Sequence, residues 1–225
     1  QFTEKIVHLP TYAAFRPLAS APAVNPLPAL YNGYLTFASF NRQNKITPLV
    51  IRHWSALLRA VPDSRMLVGA LFSKSSVKPL LDAFGREGIS PDRLEFRTLC
   101  GIQDYLGLHH QVDVCLDTLA YTGGTTVLHA LWMGVPTLTV AGDLPPRRLG
   151  AVIARHAGLE AFAARDSNDF VMKGKRLASD FKRLARVRKE LRNRFAGSPM
   201  GNPKAVAAGF EHAFRTMWKR WCSGK

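Results

Sequence analysis

Short, almost unbroken apolar runs alternate along this chain with segments whose apolar residues recur every three or four positions. Tyr34 to Phe40 (YLTFASF) is the first such run and predicts a buried strand. Thr47-Pro48 then offers a capping hydroxyl followed by proline at the first helical position. Val50, Trp54, Leu57 and Val61 follow at helical spacing and predict an amphipathic helix. The alternation continues with strands expected over Arg65 to Leu71, Arg93 to Arg97, Val112 to Asp117 and Pro136 to Ala141. Helices are expected over Val77 to Gly88, Ile102 to His110 and Thr125 to Gly134. Strands that are apolar throughout are buried on both faces, and strands separated by helices pair in parallel. The expected class is therefore α/β, a doubly wound parallel sheet. In such sheets ligands bind beyond the C-terminal strand ends, so any functional loop should follow a strand.

The two ends of the chain have a different character. Pro10, Pro17, Pro22, Pro26 and Pro28 fall within about twenty residues, which predicts an extended, irregular arm closing at the Asn32-Gly33 turn. From Pro146 to Cys222 there is almost no strand signal. Phe181, Leu184, Val187, Leu191 and Phe195 form one helical stripe, and Val206, Phe210, Phe214, Met217 and Trp221 form another. Residues 173–194 hold ten Lys or Arg against Asp180 and Glu190, more than half of the chain's formal excess of +15. Such a basic excess points to anionic partners. The local concentration is open to three readings: a solvated face on a core-packing helix, a patch for an acidic protein or lipid, or a nucleic-acid surface. Aromatic stacking platforms are not interleaved among the charges, which makes nucleic acid the least favoured.

At 47% apolar residues the chain can bury a sizeable core, which excludes a disordered or fibrous chain. No stretch approaches the roughly 18 apolar residues of a membrane span. Gln1-Phe2-Thr3-Glu4 lacks the basic and apolar regions of a signal peptide and reads as a cut in a longer chain. Cys100, Cys115 and Cys222 make no CxxC pair; the expectation is buried thiols in a reducing, cytoplasmic compartment.

Chemistry concentrates after two strands. Asp117-Thr-Leu-Ala-Tyr-Thr-Gly-Gly-Thr-Thr126 runs from a strand end into a helix. Gly123 and Gly124 allow close backbone approach, and Thr125 and Thr126 open the helix where free amides and the dipole favour an anion. A plain helix cap would use the same residues. No Walker lysine follows, and no Gly-x-Gly-x-x-Gly follows the first strand, which counts against a nicotinamide dehydrogenase. Lys45, five residues past the first strand, can swing over the sheet edge as a point charge for a phosphate or stand as a solvated loop lysine. His129 lies one turn into the helix after the glycine loop. The histidines form no HExxH or other tight metal pattern, no GxSxG elbow occurs, and no carboxylate pair suits glycosidase chemistry, so no metal and no catalytic residue is assigned.

Taken together, YTGGTTVLHALWMGVPTLTVAGDLPPRRLGA resembles the donor-binding stretch of glycosyltransferase family 41, the protein O-linked N-acetylglucosaminyltransferases and their bacterial relatives. TFASFNRQNKITP and VDVCLDT extend the resemblance upstream; GLEAF, LASDFKRLARVRKELRNRF and SPM extend it downstream, covering about Tyr34 to Trp218. The resemblance implies the C-terminal, Rossmann-like half of a GT-B fold, with residues 1–33 as an arm or linker, 34–200 as the nucleotide-sugar-binding domain and 201–225 as a helix crossing to the other half. It implies inverting transfer of N-acetylglucosamine from UDP-GlcNAc to Ser or Thr of proteins, without a cofactor. The partners implied are the UDP-sugar, an acceptor protein and an N-terminal half with tetratricopeptide repeats. By itself this half is expected to bind UDP weakly and to turn nothing over.

By the same resemblance Lys45 matches the pyrophosphate lysine, Gly123, Gly124, Thr125 and Thr126 the phosphate cradle, and the backbone at Thr98 and Leu99 the uracil-reading loop. Four positions depart from the family pattern. His129 replaces an acidic residue at the ribose, Asp104 a histidine beside the uracil, Gly101 a common lysine, and Arg42 an amide residue near the donor. They leave the sugar open. A non-catalytic nucleotide-binding or scaffold module, its basic helices holding an acidic partner, is the alternative, and a glycan-building GT-B transferase is a third. Without a partner half, the stripe of Phe210, Phe214, Met217 and Trp221 invites self-association.

Overall fold

The computed structural model describes residues 3–9, 11 and 13–224; Gln1 and Phe2 of the expected cut and Pro10 of the proline arm lie outside the described residues. Six strands form one parallel sheet: β1 (Thr36–Ser39), β2 (Arg65–Leu71), β3 (Leu94–Thr98), β4 (Val114–Leu116), β5 (Thr137–Val140) and β6 (Ala163–Ala164). Their spatial order is β3-β2-β1-β4-β5-β6, the doubly wound order whose direction reverses between β1 and β4. The helices are α1 (Ala29–Asn32), α2 (Pro48–Ala60), α3 (Val77–Arg86), α4 (Ile102–Leu108), α5 (Thr125–Trp132), α6 (Pro145–His156), α7 (Ser167–Ser179), α8 (Phe181–Ala196) and α9 (Pro203–Cys222).

The unbroken apolar runs have a direct cause. Alternate residues of the central strands feed two different cores. Phe37, Met66, Val68, Val114 and Leu116 join the large cluster around Trp54, Phe84 and Phe170. Their neighbours Ala38, Leu67 and Cys115 join a smaller cluster with Phe40, Val112 and Ala130 on the other face. A strand buried on both sides has no position free for a polar residue. Thr47 caps α2 as its position suggests, its hydroxyl accepting from the Val50 amide at 3.3 Å, with Pro48 at the first helical position. β6, only two residues long, was not legible in the sequence. It owes its existence to pairing with β5, through Thr139 and Val140, rather than to any apolar run of its own.

The proline arm is irregular over residues 13–28 apart from one turn, but it is not peripheral. Phe15 and Leu27 are core residues, and the Phe15 amide donates to the Met200 carbonyl at 2.8 Å. Two arginines of the basic region turn inward and hold the arm, which departs from the solvated-face reading at those two positions; most of the other basic residues there are exposed. Arg188 is buried, and its Nε donates to the Asn25 carbonyl at 2.8 Å. Arg192 donates to the carbonyls of Pro22 at 2.6 Å and Trp132. The expectation of buried thiols holds for Cys115 alone; Cys100 and Cys222 are exposed. On α9 only Ala213 is buried, and Phe214 and Trp221 are 62% and 79% exposed. No helix among the described residues is long and apolar enough to cross a membrane.

Candidate functional site

At the switch point the loops that follow β1 and β4 meet. Lys45 sits at the end of a single 3₁₀ turn, Gln43–Lys45, that carries it back across the sheet edge. Its Nζ donates to the Thr122 carbonyl at 3.1 Å and lies 4.2 Å from the centre of the Tyr121 ring. Burial lowers the Lys45 pKa; attraction to Asp117 opposes that shift and repulsion from Arg42 adds to it. The ammonium is therefore bonded to the residue just before Gly123, in the loop that leads into α5, and no side chain caps that helix. The first-turn amides of an uncapped helix are free donors that favour negative charge.

The loop is held from beneath by Asp117. Its Oδ1 accepts from the amides of Gly123 at 2.7 Å and Thr118 at 2.8 Å, and its Oδ2 accepts from the Thr139 hydroxyl at 2.9 Å. The Trp54 indole donates to the Asp117 carbonyl at 3.0 Å, tying the loop to the core through α2. Burial pushes the Asp117 carboxyl up to about 6, against the lowering pull of its hydrogen bonds and of Lys45. Thr122 completes the frame: its hydroxyl donates to the Pro146 carbonyl at 3.0 Å and accepts from the Gly150 amide at 3.2 Å. Asn41, just past β1, accepts from the Thr126 hydroxyl at 3.3 Å. A Cβ on Gly123 would meet Thr126 Oγ1 at 2.6 Å and Val127 Cγ2 at 2.9 Å, so the close approach here requires glycine; a Cβ on Gly124 would meet only Leu149, at an ordinary 3.5 Å.

The structure thus brings Lys45, Arg42, Gly123, Gly124, Thr125 and Thr126 to one place. The His129 ring is half-buried between Phe15 and Tyr105, with ring centres 6.0 and 5.5 Å away, and burial lowers its pKa. Asp104 lies exposed in the first turn of α4, next to Tyr105, whose ring also touches Phe40 at the end of β1. Thr98 and Leu99 are exposed at the end of β3, the outer strand, with the Leu99 amide donating to the Leu71 carbonyl at 2.9 Å. Asp117, Asn41, Thr122 and Tyr121 were not assigned roles from the sequence. A carboxylate at a strand end six residues before a glycine pair was the available signal for Asp117. Among the described residues no cluster of three or more His, Cys, Asp or Glu could hold a metal ion.

The Asp117 carboxyl makes a pH prediction. Its folded pKa lies above its ordinary value of 3.8, so between pH 4 and 6 the folded chain binds more protons than the unfolded chain. That contribution to stability is present below pH 4 and lost as pH rises through 6. Asp117→Asn removes this loss. Relative to the unsubstituted chain, the variant should gain on the order of 2–3 kcal/mol between pH 4 and 7, read as the difference between urea unfolding curves at each pH. A pH-independent difference would contradict it.

A family model described as Glycosyl transferase family 41 matches residues 27–210. A probable UDP-N-acetylglucosamine–peptide N-acetylglucosaminyltransferase, SPINDLY, of Arabidopsis thaliana is 36% identical over 226 residues, 99% of this chain and 25% of that protein. An O-GlcNAc transferase structure from Thermobaculum terrenum superposes with a TM-score of 0.84 at 31% identity, covering 92% of this chain and 40% of that one. The fold is also shared with Anabaena HepE, solved in complex with UDP, at a TM-score of 0.58 and 15% identity. This chain spans about a quarter of the length of the curated relatives it matches.

Proposed function

From the premise that the chain belongs to glycosyltransferase family 41, we propose that the switch-point site holds the diphosphate of a UDP-sugar in a transferase acting on protein Ser or Thr. The single observation that supports this is the Lys45 ammonium bonded to Thr122, on the loop that runs into the uncapped start of α5. Two phosphates need a cation and helix-terminal donors together, and this is where the chain supplies both. UDP-GlcNAc is the donor we favour, because the relatives' names specify it. As the bond from the anomeric carbon to the diphosphate breaks, negative charge grows on the leaving UDP. Lys45 and the α5 amides, fixed beforehand, meet that charge without reorganising. Tyr121 and Asp117 hold the ammonium in place, the first by its ring face and the second by its charge. The acceptor hydroxyl would attack from the opposite face of the sugar, and the assignment to this chain is of the donor half of that reaction.

Calorimetric titration with UDP tests the site. A charge-assisted hydrogen bond to phosphate is worth about 1.5–3 kcal/mol, so Lys45→Ala should weaken UDP binding by roughly ten- to a hundredfold. The folded state should be retained, since Lys45 is a half-buried loop residue with one hydrogen bond. Equal UDP affinity in the two proteins would remove Lys45 from the site. An unsubstituted chain that ignores UDP would favour the non-catalytic module instead.

A further inference from the structure

We propose that the groove between α7 and α8 docks an acidic peptide segment that also carries apolar side chains. The groove encloses about 590 Å³. Leu177 and Val187, both partly exposed, form its apolar floor over the buried core residues Phe162 and Leu184. Around them stand Lys173, Arg176, Arg183 and Arg186. The carboxylates that also line the groove are already engaged. Asp180 caps α8 by accepting from the Arg183 amide at 2.8 Å, and Glu190 pairs with Arg194. Arg176, Arg183 and Arg186 have no ion-pair partner among the described residues, and Lys173 makes one hydrogen bond, to the Ala161 carbonyl at 2.9 Å.

This site is independent of the donor reading. The groove includes the Gly158–Phe162 turn that leads into β6, so it opens at the N-terminal edge of the sheet. The Lys45 site lies beyond the opposite, C-terminal edge. An apolar floor ringed by unmatched guanidinium groups calls for a ligand with both properties. Acidic side chains would pair with the arginine forks and apolar ones would fill the floor. A peptide satisfies this better than the other polyanions. Bases would need exposed rings to stack on, whereas Phe162, the aromatic residue of the groove, is buried. A flat membrane surface would need protruding apolar side chains, whereas these are recessed in a concave site.

Fluorescence anisotropy with a short labelled peptide of alternating Glu and Leu provides the test. Binding is expected to weaken with added salt and to be abolished by replacing every Glu of the probe with Lys. Reversing three exposed cations of the groove (Arg176→Glu, Arg183→Glu and Arg186→Glu together) should weaken binding about tenfold or more while leaving UDP affinity unchanged. Reversing Lys204, Arg215 and Lys219 on α9 changes net charge equally and should leave peptide binding intact. The proposal is overturned if the peptide does not bind, or if both triple variants lose it equally, which would mean generic charge. It is overturned too if polyuridylate or phosphatidylserine vesicles bind the groove more tightly than the peptide.

Discussion

Arg188→Ala should destabilise the chain by about 3–5 kcal/mol, seen as a lower urea midpoint with little change in slope. The Arg188 side chain is 1% exposed and its guanidinium is shared between two segments, the proline arm at Asn25 and the turn from His109 to Val112. Nη1 donates to the Val112 carbonyl at 2.6 Å, Nε to the Asn25 carbonyl at 2.8 Å, and Nη2 to the His109 carbonyl at 3.1 Å and to the Asn25 side chain. Removing it takes a donor from each of these acceptors; the His109 carbonyl keeps the Val112 amide at 3.3 Å, but every buried acceptor left without a partner carries a desolvation cost. It also removes the cation whose charge favours ionised Asp113, a buried carboxyl held up at about 6 by desolvation while its oxygens accept from the Ala29 and Thr36 amides. Arg188→Lys keeps a charge but not the planar fork, so it should recover only part of the loss. Asn25→Ala removes one partner and should cost less than half as much. If Arg188→Ala unfolds at the same urea concentration as the unsubstituted chain, the guanidinium is not what clamps arm, helix and sheet together.

Gly123→Ala should weaken UDP binding by tenfold or more and cost about 1–3 kcal/mol of stability, the usual penalty for forcing a methyl group into a filled space. The added carbon would press on Thr126 Oγ1, Val127 Cγ2 and Asn41 Oδ1, at 2.6, 2.9 and 3.1 Å. Relief means moving the loop, and the Gly123 amide is also the one tied to Asp117 at 2.7 Å. Displacing it therefore shifts the donors at the start of α5 relative to Lys45. Gly124→Ala is the contrast: its nearest neighbour would be Leu149 at 3.5 Å, so stability should change little. Equal effects of the two substitutions, by UDP titration and thermal unfolding, would contradict the packing just described.

Each of these residues was visible in the sequence, yet only some of their roles were. The strand at Arg65 to Leu71 was legible to the residue because burial on both faces leaves an unbroken apolar signature. The loop from Asp117 to Thr126 stood out as a candidate anion site because strand, glycine pair and hydroxyl-bearing helix start are contiguous. Arg188 was not legible, because it stands among nine other basic residues with the same local pattern. What separates it is a set of acceptors up to 163 residues away.

The chain's own order of apolar and polar residues therefore settled the class of sheet and the order of its first five strands, and singled out the two candidate loops, since each rests on neighbours a few positions apart. Tertiary structure alone decided that Lys45 reaches Thr122, that Gly123 and not Gly124 is the crowded glycine, that Asp117 organises the loop from below, and that two arginines turn inward. Those outcomes depend on which groups meet through space and which are left without water. Spacing along a chain records neither.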